Sequence, residues 1–263
     1  MLLLAFVVAW FDARPARPQD PPLSTETGST LFLPTRFDSA AEANDRERIP
    51  LLSPGRSSFA DTLRADLRRR AREQFELARS LESQGTDVAA IVAYRNALRF
   101  DPTIPEANFR LGMLFVKRGE LNLGLQNFAE ELTLAPGHRD AQRQLGLTLA
   151  RTGASEDGVR MLEGLLSRDP NDAESWHALG FAQQAAQQPA AAERSLRRAI
   201  ALGAKGGEAH RDLGAVLAAV GRDREARAEY ARAIAISPHD PSVWFNLGNL
   251  ERRASHSDSA LAA

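Results

Sequence analysis

His177 and His210 are the residues whose type most invites a search for chemistry. They stand 33 positions apart, and two imidazoles brought together can begin a metal site. A zinc site asks for further nitrogen, sulfur or carboxylate ligands, and the sequence places neither a thiolate nor a carboxylate motif with this pair. With no cysteine in the chain, disulfides, zinc–thiolate centres and a lipidated N-terminal cysteine are excluded, and any redox compartment is compatible. The five histidines form no HExxH pattern. "GASEDG" at 153–158 lacks the GxSxG spacing that exposes a nucleophilic serine. "GAKGGE" at 203–208 lacks the GK[ST] ending of a phosphate loop. Acids beside bases, such as Glu225 and Glu229 with Arg222 and Arg232, read as solvated helix faces. The expectation is therefore no catalytic residue, no metal and no cofactor.

What the two histidines share is a register. Each is followed closely by the same pair, Leu179-Gly180 after His177 and Leu213-Gly214 after His210. The pair recurs as Leu111-Gly112, Leu145-Gly146 and Leu247-Gly248, in steps of 34 residues, and one step further back lies Leu77-Ala78. A glycine inside a helix costs about 1 kcal/mol relative to alanine, so its repetition needs a packing cause. Pro102, Pro136, Pro170 and Pro238 keep the same step, with Ala204 the departure. Gly85, Gly119, Gly153 and Gly221 keep it too, as do Ala90, Gly124, Gly158, Ala192, Ala226 and Ala260 in a later slot. A fixed period of this size marks one supersecondary unit stacked as an array.

Over residues 71–263 this pattern resembles the tetratricopeptide repeat (TPR), a helix–turn–helix unit of 34 residues. Units are counted here from Ala71, Pro105, Arg139, Ala173, Gly207 and Pro241. The resemblance implies an all-α, right-handed superhelical solenoid, stabilised by contacts between neighbouring units. Trp176 and Trp244 fill the family's aromatic position 4, and positions 7 and 8 carry leucine and a small residue in all six units. Tyr94, Phe128, Leu162, Leu196 and Tyr230 fill the bulky position 24, and Ala97, Ala199 and Ala233 the alanine position 27. Glu131 and Leu165 depart at position 27, which predicts poorer packing in the second and third units. The small residue at position 8 lets the first helix lie close to the second. Glycine at position 15 ends the first helix in a left-handed cap, and proline at position 32 ends the second.

In the family's architecture the first helices line the concave side, with positions 2, 5, 6, 9, 12 and 13 pointing inward. Position 5 then presents Phe75, Phe109, Arg143, His177, Arg211 and Phe245. Position 9 contributes Arg79, Met113, Leu147, Phe181 and Asn249, position 6 Arg110 and Asn246, and position 13 Lys117 and Arg151. Apolar anchors alternating with cations suit a protein or peptide partner bearing apolar and acidic residues, and exposed aromatics and arginines are the usual anchors of affinity. The expected function is an interaction scaffold, not an enzyme. The subtype that grips a C-terminal carboxylate does not fit, because its slots hold Phe75, Arg79, Arg110, Asp140 and Gln144. One rival is the substrate-docking part of a larger transferase-type enzyme that would continue beyond Ala263. Another is a helical-repeat RNA binder, which the net charge of −1 and the apolar inner slots disfavour.

The termini carry their own expectations. "MLLLAFVVAWF" is shorter than the ~20 apolar residues of a membrane span and fits the core of an export signal or an anchor. This predicts an exported, periplasmic or membrane-tethered protein, with a cytoplasmic one as the alternative. Residues 12–56 are rich in proline, serine and threonine and read as a disordered linker. Within it Leu31, Phe32, Leu33 and Phe37 form an apolar island able to dock on the solenoid. A helix is expected from about Ser57, with Ser58 as its N-cap. In the sixth unit, the first helix is expected over about Ser242–Arg253 and a second from near Ser257, leaving that unit incomplete.

Overall fold

The structure, a computed structural model, describes residues 55–261, with side-chain surroundings for 59–254. The expectations for residues 1–54, including the apolar N-terminal segment and the docking of Leu31, Phe32, Leu33 and Phe37, lie outside the described residues. The chain divides into two units, Met1–Leu63 and Arg64–Ala263. Of the first, only the opening turns of one helix are described.

Among the described residues there are eleven helices and no strand. The first helices of successive hairpins are α1 (Gly55–Ser83), α3 (Ala107–Lys117), α5 (Arg139–Arg151), α7 (Ala173–Ala185), α9 (Glu208–Ala219) and α11 (Pro241–Leu261), and each complete hairpin is closed by its own second helix. The second helices are α2 (Asp87–Phe100), α4 (Leu121–Leu134), α6 (Ser155–Leu166), α8 (Pro189–Ala201) and α10 (Asp223–Ile236). These starts fall 34 residues apart, as the sequence predicts. Helix α1 begins at Gly55, so Ser58 lies inside it and is not the N-cap.

Each of the five complete first helices ends by the same device. The residue two past the helix takes left-handed backbone: Gly85 at φ 75°, Gly119 at 78°, Gly153 at 93° and Gly221 at 79°. Its amide and the next one then reach back to two orphan carbonyls, as when Gly85 N–H donates to Glu82 and Thr86 N–H to Leu81. In the fourth hairpin Gln187 does the same at φ 58°, although left-handed backbone costs a non-glycine residue about 1–2 kcal/mol. The packing of Ala192, Leu196 and Ala199, all fully buried on α8, offsets that cost.

The repeated glycine has a sharper cause than close helices alone. A Cβ on Gly112 would lie 2.5 Å from the Phe128 ring, and one on Gly146 2.8 Å from Leu162. The corresponding distances are 2.5 Å for Gly180 to Leu196 and 2.6 Å for Gly214 to Tyr230. Position 8 is therefore a socket for the bulky position-24 side chain of the same hairpin. Backbone itself approaches closely at Gly158, whose Cβ would meet the Gly146 carbonyl at 2.5 Å. Tyr94, Phe128, Leu162, Leu196 and Tyr230 are buried to within 2% of completely, and such burial is worth about 1.5–3 kcal/mol each. The departures at position 27 are buried as well, Leu165 and Glu131 both at 2% exposure. Glu131 is accommodated because its carboxylate accepts the Phe109 amide at 3.3 Å, at the start of α3.

The sixth unit differs from expectation. Helix α11 runs unbroken through the place where the turn should fall, as far as Leu261. Ser255 occupies the slot where the other first helices turn left-handed, and it stays helical.

Gly146→Leu is expected to destabilise the protein by roughly 1–3 kcal/mol through overpacking. Gly248→Leu, whose site is open, is expected to leave stability unchanged or slightly raised. Denaturant unfolding of the two variants measures the contrast.

Candidate functional site

Within Arg64–Ala263, successive first helices touch one another: α3 with α5, α5 with α7, α7 with α9, and α9 with α11. Successive second helices make no comparable contact. The first helices therefore form the tighter wall of the stack, and their exposed face is the candidate site.

The predicted residues fall into three groups on that wall. Phe75 and Phe109 are half-buried and serve packing. Phe75 meets the Tyr94 ring edge-on at 5.4 Å, and Phe109 lies 5.9 Å from Phe128 and 4.8 Å from the His138 ring. Met113, Leu147 and Phe181, one on each of α3, α5 and α7, share position 9. All three are half-buried, seated on the cores beneath. Phe245 stands out at 69% exposure. Asn246 and Asn249 are half-buried beside it on α11, and Asn249 accepts a hydrogen bond from Arg252.

The cations form the third group, and most are already engaged. Arg143 pairs with Asp140 on its own helix and with Asp172 at 3.4 Å. Arg211 pairs with Asp212 at 2.8 Å and Asp240 at 3.0 Å. Lys117 reaches Asp87 at 2.8 Å, Arg110 lies 3.8 Å from Glu82 and 3.7 Å from Glu106, and Arg79 lies 3.7 Å from Glu76. Arg151 is exposed and has no ion pair among the described residues. Arg143 and Arg211 are thus placed by internal carboxylates and are not the open carboxylate receptors the sequence suggests.

A rule that sequence reading missed explains those pairs: position 5 answers position 34 of its own unit, at the boundary with the next. In the first unit Phe75 packs on the cluster that buries Ile104. In the second Phe109 meets His138, in the third Arg143 meets Asp172, and in the fifth Arg211 meets Asp240. In the fourth the slot is Gly206, and His177 turns instead to Asp212 of the next unit at 2.8 Å. His210 likewise faces a carboxylate, Glu229, at 2.7 Å. Both histidines thus have acid partners that no sequence motif announces, and Glu229 is buried, not a solvated face. The signal lay in the sequence as paired substitutions 29 residues apart, Phe109 with His138, Arg143 with Asp172 and Arg211 with Asp240.

The boundary acids also cap helices. Asp172 accepts the Ser175 amide at 3.2 Å and the Ser175 hydroxyl at 2.6 Å. Burial pushes its pKa up, but Ser175, Arg143 and Arg139 together outweigh burial and hold the carboxyl below its usual value. Asp240 behaves alike: burial acts upward, and the Ser242 amide and Arg211 prevail downward. The position-4 tryptophans add a second tie, since Trp176 and Trp244 donate their indole N–H groups to the carbonyls of Pro170 and Pro238, both at 2.9 Å. Among the described residues no group of three metal-ligating side chains converges, and no helix is long and apolar enough to cross a membrane.

Residues 207–250 match the family model of the tetratricopeptide repeat. No curated protein matches the chain. Among solved structures it is similar to TTC0263, a thermophilic TPR protein in Thermus thermophilus, with 24% identity, 68% of this chain and 98% of that one covered, and a TM-score of 0.58. It is similar to PilF of Pseudomonas aeruginosa at 17% identity, 76% and 89% coverage and a TM-score of 0.57. It is also similar to YrrB, described as a TPR protein with an unusual peptide-binding site, at 16% identity, 73% and 97% coverage and a TM-score of 0.52. At these identities the likeness is one of fold.

Two outcomes are expected from the boundary pairs. Replacing Arg143 and Arg211 together by Glu should lower stability, by about 1–3 kcal/mol for each charged hydrogen-bonded pair lost, as denaturant unfolding would measure. Asp172 and Asp240 have lowered pKa values in the folded chain, so their contribution is complete above the unfolded value of about 3.9. It is lost as pH falls through the lower, folded values. Melting temperature should drop across that acid range, and less steeply in the Asp172→Asn, Asp240→Asn double variant.

Proposed function

We propose that this chain, a tetratricopeptide-repeat protein, is a non-catalytic scaffold that holds a peptide or helix of a protein partner against the inner wall of its first helices. The observation that carries the reading is the row of Met113, Leu147 and Phe181. Three half-buried apolar side chains stand at one slot of three touching helices. Each keeps exposed surface that a partner's apolar side chain can cover, at about 25 cal/mol per Å² removed from water. Beside this row Arg151 is the cation free to meet a carboxylate of the partner, whereas Arg143 and Arg211 act by fixing the wall. The peptide-binding site recorded for YrrB belongs to that protein; a site of the same kind here is part of the proposal. The apolar run at 1–11 supports placing the scaffold at a membrane or outside the cytoplasm.

Selection of peptides from a displayed library against the full chain tests the reading. Selected peptides are expected to lose tenfold or more in affinity for Leu147→Gln and, when they carry an acid, for Arg151→Glu, both variants melting near the wild-type temperature. Affinity indifferent to both substitutions would place binding elsewhere and end the proposal.

A further inference from the structure

The outer face of the second helices changes sign along the stack. On α4 and α6 the carboxylates of Glu130, Glu156 and Glu163 are exposed and meet no cation among the described residues. Glu130 accepts only from the Gln126 amide at 2.9 Å, and Glu156 from the Gln188 amide at 3.1 Å. On α8 and α10 the guanidiniums of Arg194, Arg198 and Arg224 are exposed and meet no carboxylate among the described residues. Neighbouring charges are settled within the chain: Arg160 is held by Asp157, Glu193 and Glu225 by Arg222, and Glu229 by Arg232. What remains is an acidic half on α4 and α6 and a basic half on α8 and α10. The halves share their slots. On successive second helices position 26 reads Glu130, Gly164, Arg198, and position 18 reads Glu156, Ala190, Arg224. Each row runs acid, small residue, base.

Gly164 is a second and independent sign. It lies within α6, its backbone is not left-handed, and nothing comes within 4 Å of where its Cβ would be. The position-8 glycines give up helix propensity to admit a bulky side chain of their own hairpin. Gly164 gives it up with no such contact inside the chain, and a close approach from outside accounts for it. Because the first helices form the tighter wall, the second helices form the convex one. A convex face meets another most closely at its middle, beside α6 and α8, where bare backbone at Gly164 removes bulk.

We propose that two copies of this chain pair through the outer face of their second helices, about a two-fold axis between α6 and α8. Such an axis lays α6 of one copy on α8 of the other, twice over, because a two-fold contact must be self-complementary. Glu156 and Glu163 of each copy then oppose Arg194 and Arg198 of the other, with Glu130 and Arg224 extending the match at the rims. Helices of this length extend about 20 Å. Four of them at roughly 10 Å spacing offer a face on the order of the 800 Å² per partner that a standard interface uses. The surface is not the one that carries Met113, Leu147 and Phe181, so the pairing stands independently of the inner-wall reading.

Sedimentation of the full chain tests the pairing. The wild-type chain is expected to run as a dimer at low salt and to dissociate as salt rises, since exposed charges carry the contact. Glu156→Arg with Glu163→Arg, or Arg194→Glu with Arg198→Glu, should weaken the dimer at least tenfold while circular dichroism shows unchanged helix content. Mixed in equal amounts, the two reversed chains should recover it as a heterodimer, which neither misfolding nor an unrelated contact would give. Gly164→Leu should weaken the dimer as well and leave the monomer folded. A wild-type chain that stays monomeric at low salt at every concentration tried, a dimer indifferent to both reversals, or a mixture that stays monomeric would overturn the proposal. So would a dimer lost on Leu147→Gln and kept in the reversed chains, which would put the contact on the inner wall.

Discussion

Four of the five complete hairpins among the described residues are arranged around a bulky side chain resting on bare backbone. Phe128 on Gly112, Leu162 on Gly146, Leu196 on Gly180 and Tyr230 on Gly214 bring the two helices of these four hairpins together, with the missing Cβ as the space gained. The helix propensity surrendered at each glycine is about 1 kcal/mol, less than the about 1.5–3 kcal/mol from burying the side chain above it. Once that contact fixes the hairpin, the left-handed turn follows from chain geometry. Five turns of the same hydrogen-bond pattern, one built on Gln187, show that the packing, and not glycine itself, decides the turn.

Between hairpins the chain uses varied chemistry in a fixed place. The seam where position 5 meets position 34 is apolar at Phe75, aromatic at Phe109 and His138, and ionic at Arg143 with Asp172 and at Arg211 with Asp240. Charged partners at a half-buried seam set direction and register as well as energy, because only one stacking satisfies them. The same arrangement limits what the inner wall offers a partner. Charges engaged at the seam are unavailable to a guest, so the wall's chemistry is more apolar than its composition suggests.

Periodicity made the hairpins legible, because a 34-residue step with leucine and a small residue in register leaves few ways to pack. The site was less legible. Sequence slots told which residues share the inner wall, and Met113, Leu147 and Phe181 fall there as one row. They could not tell that Arg143 and Arg211 were already satisfied, since their partners lie 29 residues further on and in another element. Glu131 looked like a flaw in the alanine slot; its carboxylate instead takes the Phe109 amide, a contact with no local signature. The sixth unit was read by analogy with the others. Its turn slot holds serine, which stays helical where the other first helices turn, and there the local chemistry overrode the period.

The Glu131 carboxylate has one more consequence. Helix α3 begins at Ala107, after an N-cap, Glu106, in left-handed backbone whose side chain makes no cap hydrogen bond, and the acceptor for its third residue, Phe109, is supplied from α4. The two helices are therefore coupled at this end: loosening α4 strips the start of α3, and melting α3 takes from the buried carboxylate its backbone donor, leaving His138 at 3.9 Å beside it. The second hairpin is in this way tied across its two helices by a buried acid, as the fifth is by Glu229 and His210.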